Sequence, residues 1–312
     1  MLSGQDGLTW ERWRHILALS ERLAIASCFL TDHYFIRLQK ESLEPFLAFV
    51  LAATETRRIR FGPLVTPVTF RRPVEVGRMA AQIDRLSGDR FVLGLGAGWT
   101  EAEHIAYGLP FPPLAERFDR LDEAVQLIQH LWQPGPATFD GQYFQLQDAD
   151  CQPKPAPGRP PILIGGNGER RTIPLVAQRA DEWNALNLTP EQYAAKLDVF
   201  HRHCDVFDRD PIEIRRSMTV YGLVGPTPQI VDQITREQSL VLGDTPPDDL
   251  DQYRRDVRAN GSFSGSTDEV IDYLGRLADL GLHEIVFRHF LFDVDDVPEY
   301  LSADIAPALA DL

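Results

Sequence analysis

Gly94-Leu95-Gly96-Ala97-Gly98-Trp99-Thr100-Glu101-Ala102-Glu103-His104 follows the apolar run Arg90-Phe91-Val92-Leu93, and its reading decides how this chain folds. Strand side chains alternate faces with period two, so glycines at 94, 96 and 98 strip one face of a strand bare. Glycine weakens a strand interior and marks close approach by a ligand or another backbone. Two readings stand equally on the segment alone: a floor for a flat ring, or tight packing at a barrel corner. The stretch then delivers an indole, two carboxylates and an imidazole, which is chemistry at the rim of whatever the strand faces.

Outward from this strand, helical and strand patterns alternate. Thr9 caps a helical pattern through Trp10, Trp13, Ile16, Leu17 and Leu23, and the strand candidate Ala26–Thr31 ends in Asp32-His33-Tyr34. A helix over Glu44–Glu55 precedes a strand over Ile59–Val65, closed by Thr66-Pro67, and Pro73 opens the helix that leads into the glycine strand. Beyond it come a long amphipathic helix over Leu114–Trp132 and a Pro- and Gly-rich insertion with a hairpin at Phe139–Tyr143. A short strand, Ile162-Leu163-Ile164, then runs into Gly165-Gly166-Asn167-Gly168. Strands at Glu182–Leu186 and Ile212–Val224, helices near Pro228–Leu242 and Pro247–Asn260, a Ser266-capped helix, a last strand at Glu284–Phe287 and a terminal helix complete the order.

This alternation implies a parallel sheet with helices outside it. Right-handed crossovers repeated about eight times close into a (β/α)8 TIM barrel. The insertion separates the fourth and fifth strands, and the extra helices precede the eighth. One domain over residues 1–312 is expected. An open doubly wound sheet lacks its support here, because Gly94-x-Gly96-x-Gly98 does not have the G-x-G-x-x-G spacing. Only Met1-Leu2-Ser3 precede the Gly4-Gln5-Asp6-Gly7 turn, so the first strand is cut to its last residues, and the expectation is a true N-terminus upstream of Met1.

The 312 residues carry a net charge of -15, which argues against a nucleic-acid partner and an anionic membrane surface. The longest strongly apolar run, Phe46–Ala53, is too short to span a bilayer, and no leader pattern opens the chain. The three cysteines, Cys28, Cys151 and Cys204, lie far apart and share no metal spacing, so no metal site and a reducing cytoplasm are expected.

In such a barrel the ligand sits at the C-terminal ends of the strands, where unusual residues recur. Asp32-His33 pairs a carboxylate with an imidazole for proton transfer, or merely caps the next segment. Gly62-Pro63-Leu64-Val65-Thr66-Pro67 holds a constrained peptide against a ring, or is an ordinary turn. Gly165-Gly166-Asn167-Gly168 opens a helix beside Arg170 and Arg171, which suits a phosphate better than a flexible turn. Asn184 offers an amide to a polar ring edge, and Arg288-His289 faces either a substrate or solvent.

These residues, with Tyr107-Gly108-Leu109-Pro110-Phe111-Pro112-Pro113, Glu116–Leu121 and Ala180-Asp181-Glu182-Trp183-Asn184, resemble the bacterial luciferase-like family of flavin and deazaflavin oxidoreductases. The resemblance covers nearly the whole chain and is strongest to the branch that uses coenzyme F420, a deazaflavin. It implies a TIM barrel and a ring pocket at Leu64, Val65, Thr66, Gly96, Ala97, Gly98 and Trp99. It also implies a non-proline cis peptide at Leu64-Val65 and a phosphate site at Gly165, Gly166, Asn167 and Gly168. Asp32 and His33 fall beside the ring as the catalytic candidates. An acidic residue common after the fourth strand has no counterpart, because Trp99 stands there, and Glu101 and Glu103 are displaced from it. The implied activity is hydride transfer between F420 and a small organic substrate, in a homodimeric cytoplasmic enzyme. The alternatives are an FMN-dependent monooxygenase and a cofactor-binding protein without catalysis.

Overall fold

The computed structural model describes residues 1–36, 41–243, 247–289 and 291–309. Nine parallel strands form one sheet: β1 (Leu2–Ser3), β2 (Ser27–Leu30), β3 (Arg60–Pro63), β4 (Thr66–Pro67), β5 (Leu93–Gly96), then, past a hairpin, β8 (Ile162–Gly165), β9 (Glu182–Leu186), β10 (Arg215–Val220) and β11 (Glu284–His289). The hairpin is the antiparallel pair β6 (Ala137–Asp140) and β7 (Gln145–Ala149), at the turn foreseen in the insertion. The sheet runs β3-β2-β1-β11-β10-β9-β8-β5-β4, so its two ends are neighbours in sequence. β3 pairs with β2 and β4 with β5, and the cis peptide Leu64-Val65 separates them. They are one barrel position interrupted in the middle. The Phe61 N–H donates to Arg90 O at 3.1 Å and the Val92 N–H to Phe61 O at 2.9 Å, which closes the ring. The two-residue β1 pairs with both β2 and β11.

Helices α1 (Trp10–Arg22), α2 (Pro45–Glu55), α3 (Pro73–Ser87), α4 (Glu101–Ala106), α5 (Leu114–Trp132), α6 (Thr172–Arg179), α7 (Pro190–Val206), α8 (Pro228–Leu242), α9 (Leu250–Ala259) and α10 (Thr267–Asp279) fill the connections. Their starts follow the cap chemistry of the sequence. Thr9 accepts from the Arg12 N–H, and Thr189 and Ser266 form capping boxes with Gln192 and Glu269. Two elements depart from expectation. The long strand at Ile212–Val224 shrinks to β10 because Pro211–Glu213 curl into a 3-10 turn capped by Asp210. The short helix α4 replaces what reads as a loop rim. No described helix is long and apolar enough to cross a membrane.

Inside the barrel, Leu2, Phe29, Leu64, Val92, Leu163 and Val286 form a compact apolar plug with Val65 packed on it. Below it, at the N-terminal strand ends, Arg60 pairs with Glu182, and Arg215 with Glu284 at 3.3 Å. Between sheet and helices, aromatic side chains from both layers pack together, with Trp13, Phe49 and Phe200 from helices and Phe61, Phe91 and Trp183 from the sheet side fully buried. The plug seals the lower barrel, so a ligand can enter only from the opposite end.

The glycine strand resolves in favour of close backbone approach. A Cβ on Gly94 would overlap the Pro63 carbonyl oxygen, and one on Gly62 would overlap that of Val92. A Cβ on Gly96 would lie 2.5 Å from Val65 Cγ2, and one on Gly165 3.1 Å from Val65 Cγ1. The bared face is therefore filled by the neighbouring strand and by Val65. A ring would rest on Val65, seated in its glycine nest, and not on the glycines of β5 alone.

Candidate active site

At the C-terminal strand ends lies a cavity of about 480 Å³. Its wall includes Leu64, Val65, Gly96, Ala97, Gly98, Trp99, Gly165, Gly166, Asn184 and His33, so most of the residues expected around a ring converge on it. Val65 projects from the cis junction as its floor. Asn184 is buried and held in place: its Nδ2 donates to Ser217 Oγ at 2.9 Å, and Thr219 Oγ1 donates to its Oδ1 at 3.0 Å. Thr31, also in the wall, has a buried hydroxyl with no hydrogen-bond partner among the described residues. A buried polar group left unpaired costs free energy, so this hydroxyl suits a polar ligand edge.

Proton chemistry is arranged differently from the expected Asp32–His33 pair. His33 Nδ1 lies 2.7 Å from Oε2 of Glu103, on α4. Glu103 is fully buried, and its Oε1 accepts the N–H of Tyr34 at 2.6 Å and of Phe35 at 3.2 Å. With two amides donating to it, the carboxylate acts as an acceptor, which places the His33 proton on Nδ1. Nε2 has no hydrogen-bond partner among the described residues. Asp32 turns the other way: Arg71 Nη1 reaches its Oδ2 at 2.6 Å, and the Thr66 hydroxyl donates to the same oxygen. Asp32 and Thr66 thus fasten the loop after β4 to the end of β2, and neither lines the cavity. Glu101 is exposed, and His104 is buried with its Nε2 2.7 Å from Thr69 Oγ1, a packing role.

The loop after β8 is also divided. Asn167 does not offer its side chain to a ligand, because Nδ2 donates to Leu186 O at 2.6 Å and Oδ1 accepts the Leu186 N–H at 2.9 Å. Gly166 takes a φ of +128°, closed to most side chains, and donates its N–H to Asn184 O. The N–H groups of Asn167 and Gly168, just before α6, donate to no described residue and remain available to an anion. Arg171 is bound to Asp119 at 3.1 Å, and Arg170 is exposed. Asn167 and Gly168 themselves lie outside the cavity wall.

At the end of β11, Arg288 and His289 are both buried and do not face solvent. Arg288 lines the cavity, where burial opposes its charge and the Asp6 carboxylate favours it. Burial pushes the His289 imidazole down to about 4, so it stays neutral above that pH. No described cluster of His, Cys, Asp and Glu could hold a metal ion.

Fold and site together define a (β/α)8-barrel protein with a cavity above an apolar plug and a His–Glu pair at its rim. The chain belongs to the luciferase-like monooxygenase family, whose profile matches residues 2–284. It is 27% identical over 310 residues to an F420-dependent glucose-6-phosphate dehydrogenase of Microbacterium testaceum, covering 93% of this chain and 91% of that one. A protein of the same name from Intrasporangium calvum is 34% identical over 166 residues, 52% of this chain, and the match spans only 48% of that relative. Among solved structures, an F420-dependent secondary alcohol dehydrogenase in complex with an F420-acetone adduct superposes with a TM-score of 0.82 at 18% identity, covering 99% of both chains. At that identity the superposition establishes the fold. By their names these relatives are oxidoreductases, and the chain spans about half the length of most of the curated relatives it matches.

Proposed function

We propose that this chain transfers a hydride between coenzyme F420 and a small organic substrate, with His33 as the proton-transfer residue. The observation that carries the reading is the His33–Glu103 pair at the rim of a cavity floored by Val65. The cavity fits a planar tricycle with polar edges: an apolar floor, a positioned Asn184 amide, and the unpartnered Thr31 hydroxyl. Gly96, Ala97, Gly98, Trp99 and Leu64 would hold the ring, and the amides at Asn167 and Gly168 would hold the phosphate. When bound, the deazaflavin accepts or donates a hydride at a ring carbon.

The protein's own part is the proton. Glu103 fixes the imidazole with Nδ1 as donor, which leaves Nε2 to take a proton from a substrate hydroxyl or, once protonated, to return it. Glu103 is a positioning residue, since it acts through His33. Asp32 is reassigned from catalysis to holding the loop of Thr66 and Arg71. The same proposal includes a homodimer and a cytoplasmic location for a single domain over residues 1–312.

FMN is the second reading, favoured by the family's description as monooxygenases. Both cofactors present a tricyclic ring, a ribityl chain and a phosphate to the same wall. Fluorescence titration of the purified protein with each cofactor, followed by oxygen-electrode measurement, tests the proposal. Micromolar or tighter F420 binding without oxygen consumption is expected. Tighter FMN binding with substrate-dependent oxygen uptake would replace F420 by FMN.

A further inference from the structure

Arg117, one turn into α5, is a buried guanidinium that forms no ion pair among the described residues. Its Nε donates to Pro112 O at 3.0 Å, and its Nη1 donates to Gly98 O. Its Cζ lies 4.1 Å from the centroid of the Phe111 ring. Burial pushes this guanidinium below its ordinary range, and the charge of Glu101 offsets that only in part. Taking a cation out of water with no carboxylate beside it is costly. Here the charge is directed onto two backbone carbonyls, one of them at the end of the glycine strand.

That carbonyl belongs to the cavity's border. Gly98 and Trp99 line the wall, whereas Arg117, Thr100 and His104 stand behind it. The guanidinium therefore draws the Gly98 carbonyl to the side away from the cavity. The Gly98–Trp99 peptide is trans, and a trans peptide points its N–H opposite to its C=O. The Trp99 N–H thus turns toward the cavity, and it donates to no described residue. The chain beyond Trp99 is held as well: His104 Nδ1 donates to Thr100 O at 2.7 Å, and its Nε2 accepts the Thr69 hydroxyl. Two buried side chains behind the wall fix the backbone on either side of Trp99.

We infer that Arg117 is a positioning residue for the cofactor ring: by holding the Gly98 carbonyl it aims the Trp99 N–H at a polar acceptor on the ring edge. The inference rests on the proposed F420-linked function and adds to its cofactor site a residue that does not touch the cavity. A carbonyl that accepts from a cation polarises its whole peptide, so the N–H on the far side becomes a stronger donor. The donor is set in place beforehand and needs no reorganisation when the ring arrives or its charge changes. On this reading the contribution of residue 99 to the ring comes from its backbone as well as from the indole.

The test uses the full-length protein, fluorescence titration with F420, and NMR with heavy nitrogen in its tryptophans. The chain has five tryptophans, so few backbone amides are read, and Trp99→Phe identifies the Trp99 signal. In the parent, saturation with F420 should move the Trp99 amide proton downfield, a readout that needs no variant to fold. Arg117→Gln removes the charge and should weaken F420 binding about tenfold and abolish that movement. Arg117→Lys keeps the charge and should restore affinity to within about threefold of the parent. A Trp99 amide that stays in place in the F420-bound parent overturns the inference while leaving F420 chemistry standing. Equal losses of affinity in the glutamine and lysine variants overturn it too, since packing alone would account for them. If the parent binds FMN and not F420, the F420 reading falls and the same amide, read with FMN, decides the inference. A parent that binds neither overturns both.

Discussion

Glu103→Gln isolates the proton-transfer arrangement from everything else in the cavity. The carboxylate receives three donors: the Tyr34 and Phe35 N–H groups on Oε1, and His33 Nδ1 on Oε2. A glutamine can keep its carbonyl oxygen on the two backbone donors, at the position of Oε1. Its amide NH2 then faces Nδ1 at hydrogen-bond distance. Two donors cannot share that contact, so the imidazole must move its proton to Nε2 and accept at Nδ1. A neutral ring with Nε2–H can no longer take the substrate's proton. Correctly placed proton transfer contributes about 10²–10⁴-fold, and the loss in kcat should fall in that range.

The fold should survive the substitution. One charge-assisted hydrogen bond becomes a neutral one, a change of about 1–2 kcal/mol, while the amide is cheaper to bury than a carboxylate. The tautomer is readable without any substrate. Long-range proton–nitrogen NMR of His33 should show Nδ1–H in the parent and Nε2–H in the variant. Cofactor affinity should stay within about threefold, because Glu103 is absent from the cavity wall. An unchanged tautomer, or a kcat reduced less than about fivefold with the tautomer switched, would refute the role given to the pair.

Three further outcomes follow from the geometry. Arg71→Met leaves Asp32 buried without its 2.6 Å partner and should cost about 3 kcal/mol in urea unfolding. Adding Asp32→Asn should recover more than half, and a double variant as unstable as the single one would contradict the pairing. Gly94→Ala forces a methyl into the Pro63 carbonyl oxygen and should cost about 3 kcal/mol. The thermal midpoint should fall by about 4–5 °C, whereas a shift below about 2 °C would show that the strands can part. His289 titrates near 4 in the fold against 6.5 when free, so the unfolded chain binds its proton first as pH falls. Stability from this group is therefore intact above pH 6.5 and drops by about 3 kcal/mol down to pH 4. His289→Asn should flatten that acid slope in denaturation measured between the two pH values, and an unchanged slope would assign it elsewhere.

How far the sequence carried each of these features depends on the range of the interaction behind it. Helix starts at Thr9, Thr189 and Ser266 are written within four residues, so side-chain chemistry alone locates them. The alternation of short apolar strands and amphipathic helices fixes the barrel for the same reason. The cis junction at Leu64-Val65 was reached through resemblance, since nothing local forces it. The His33–Glu103 contact spans 70 residues and depends on how α4 lies across the end of β2. Adjacency in sequence favoured Asp32 as the partner instead. Yet neighbours at a strand end point to opposite sides, and that rule already argues against Asp32 and His33 meeting. The Asn167 side chain is engaged for a related reason: an amide beside a glycine loop suits an anion, but the edge of β9 takes both its ends, leaving only the backbone N–H.

The glycine strand and the interrupted strand are one device. β3 and β4 can be a single barrel position only if the chain between them leaves the sheet and returns, and that excursion needs room beside it. Gly94 admits the Pro63 carbonyl, while Gly96 and Gly165 admit the two methyls of Val65 from either side. The excursion thereby lifts one apolar side chain out of the plug and presents it to the cavity. Both ends of the excursion are tied: β3 to β2 through the ladder, and Thr66 to Asp32 through a hydroxyl. His33 follows Asp32 directly, so the same anchor that fixes the floor also fixes the start of the loop carrying the imidazole. Glu103 then grips that loop by two amides and the ring at once. The distance between cavity floor and proton-transfer nitrogen is set by covalent neighbours and buried bonds, not by surface loops. A ligand seated on Val65 would lie in the same cavity that His33 borders.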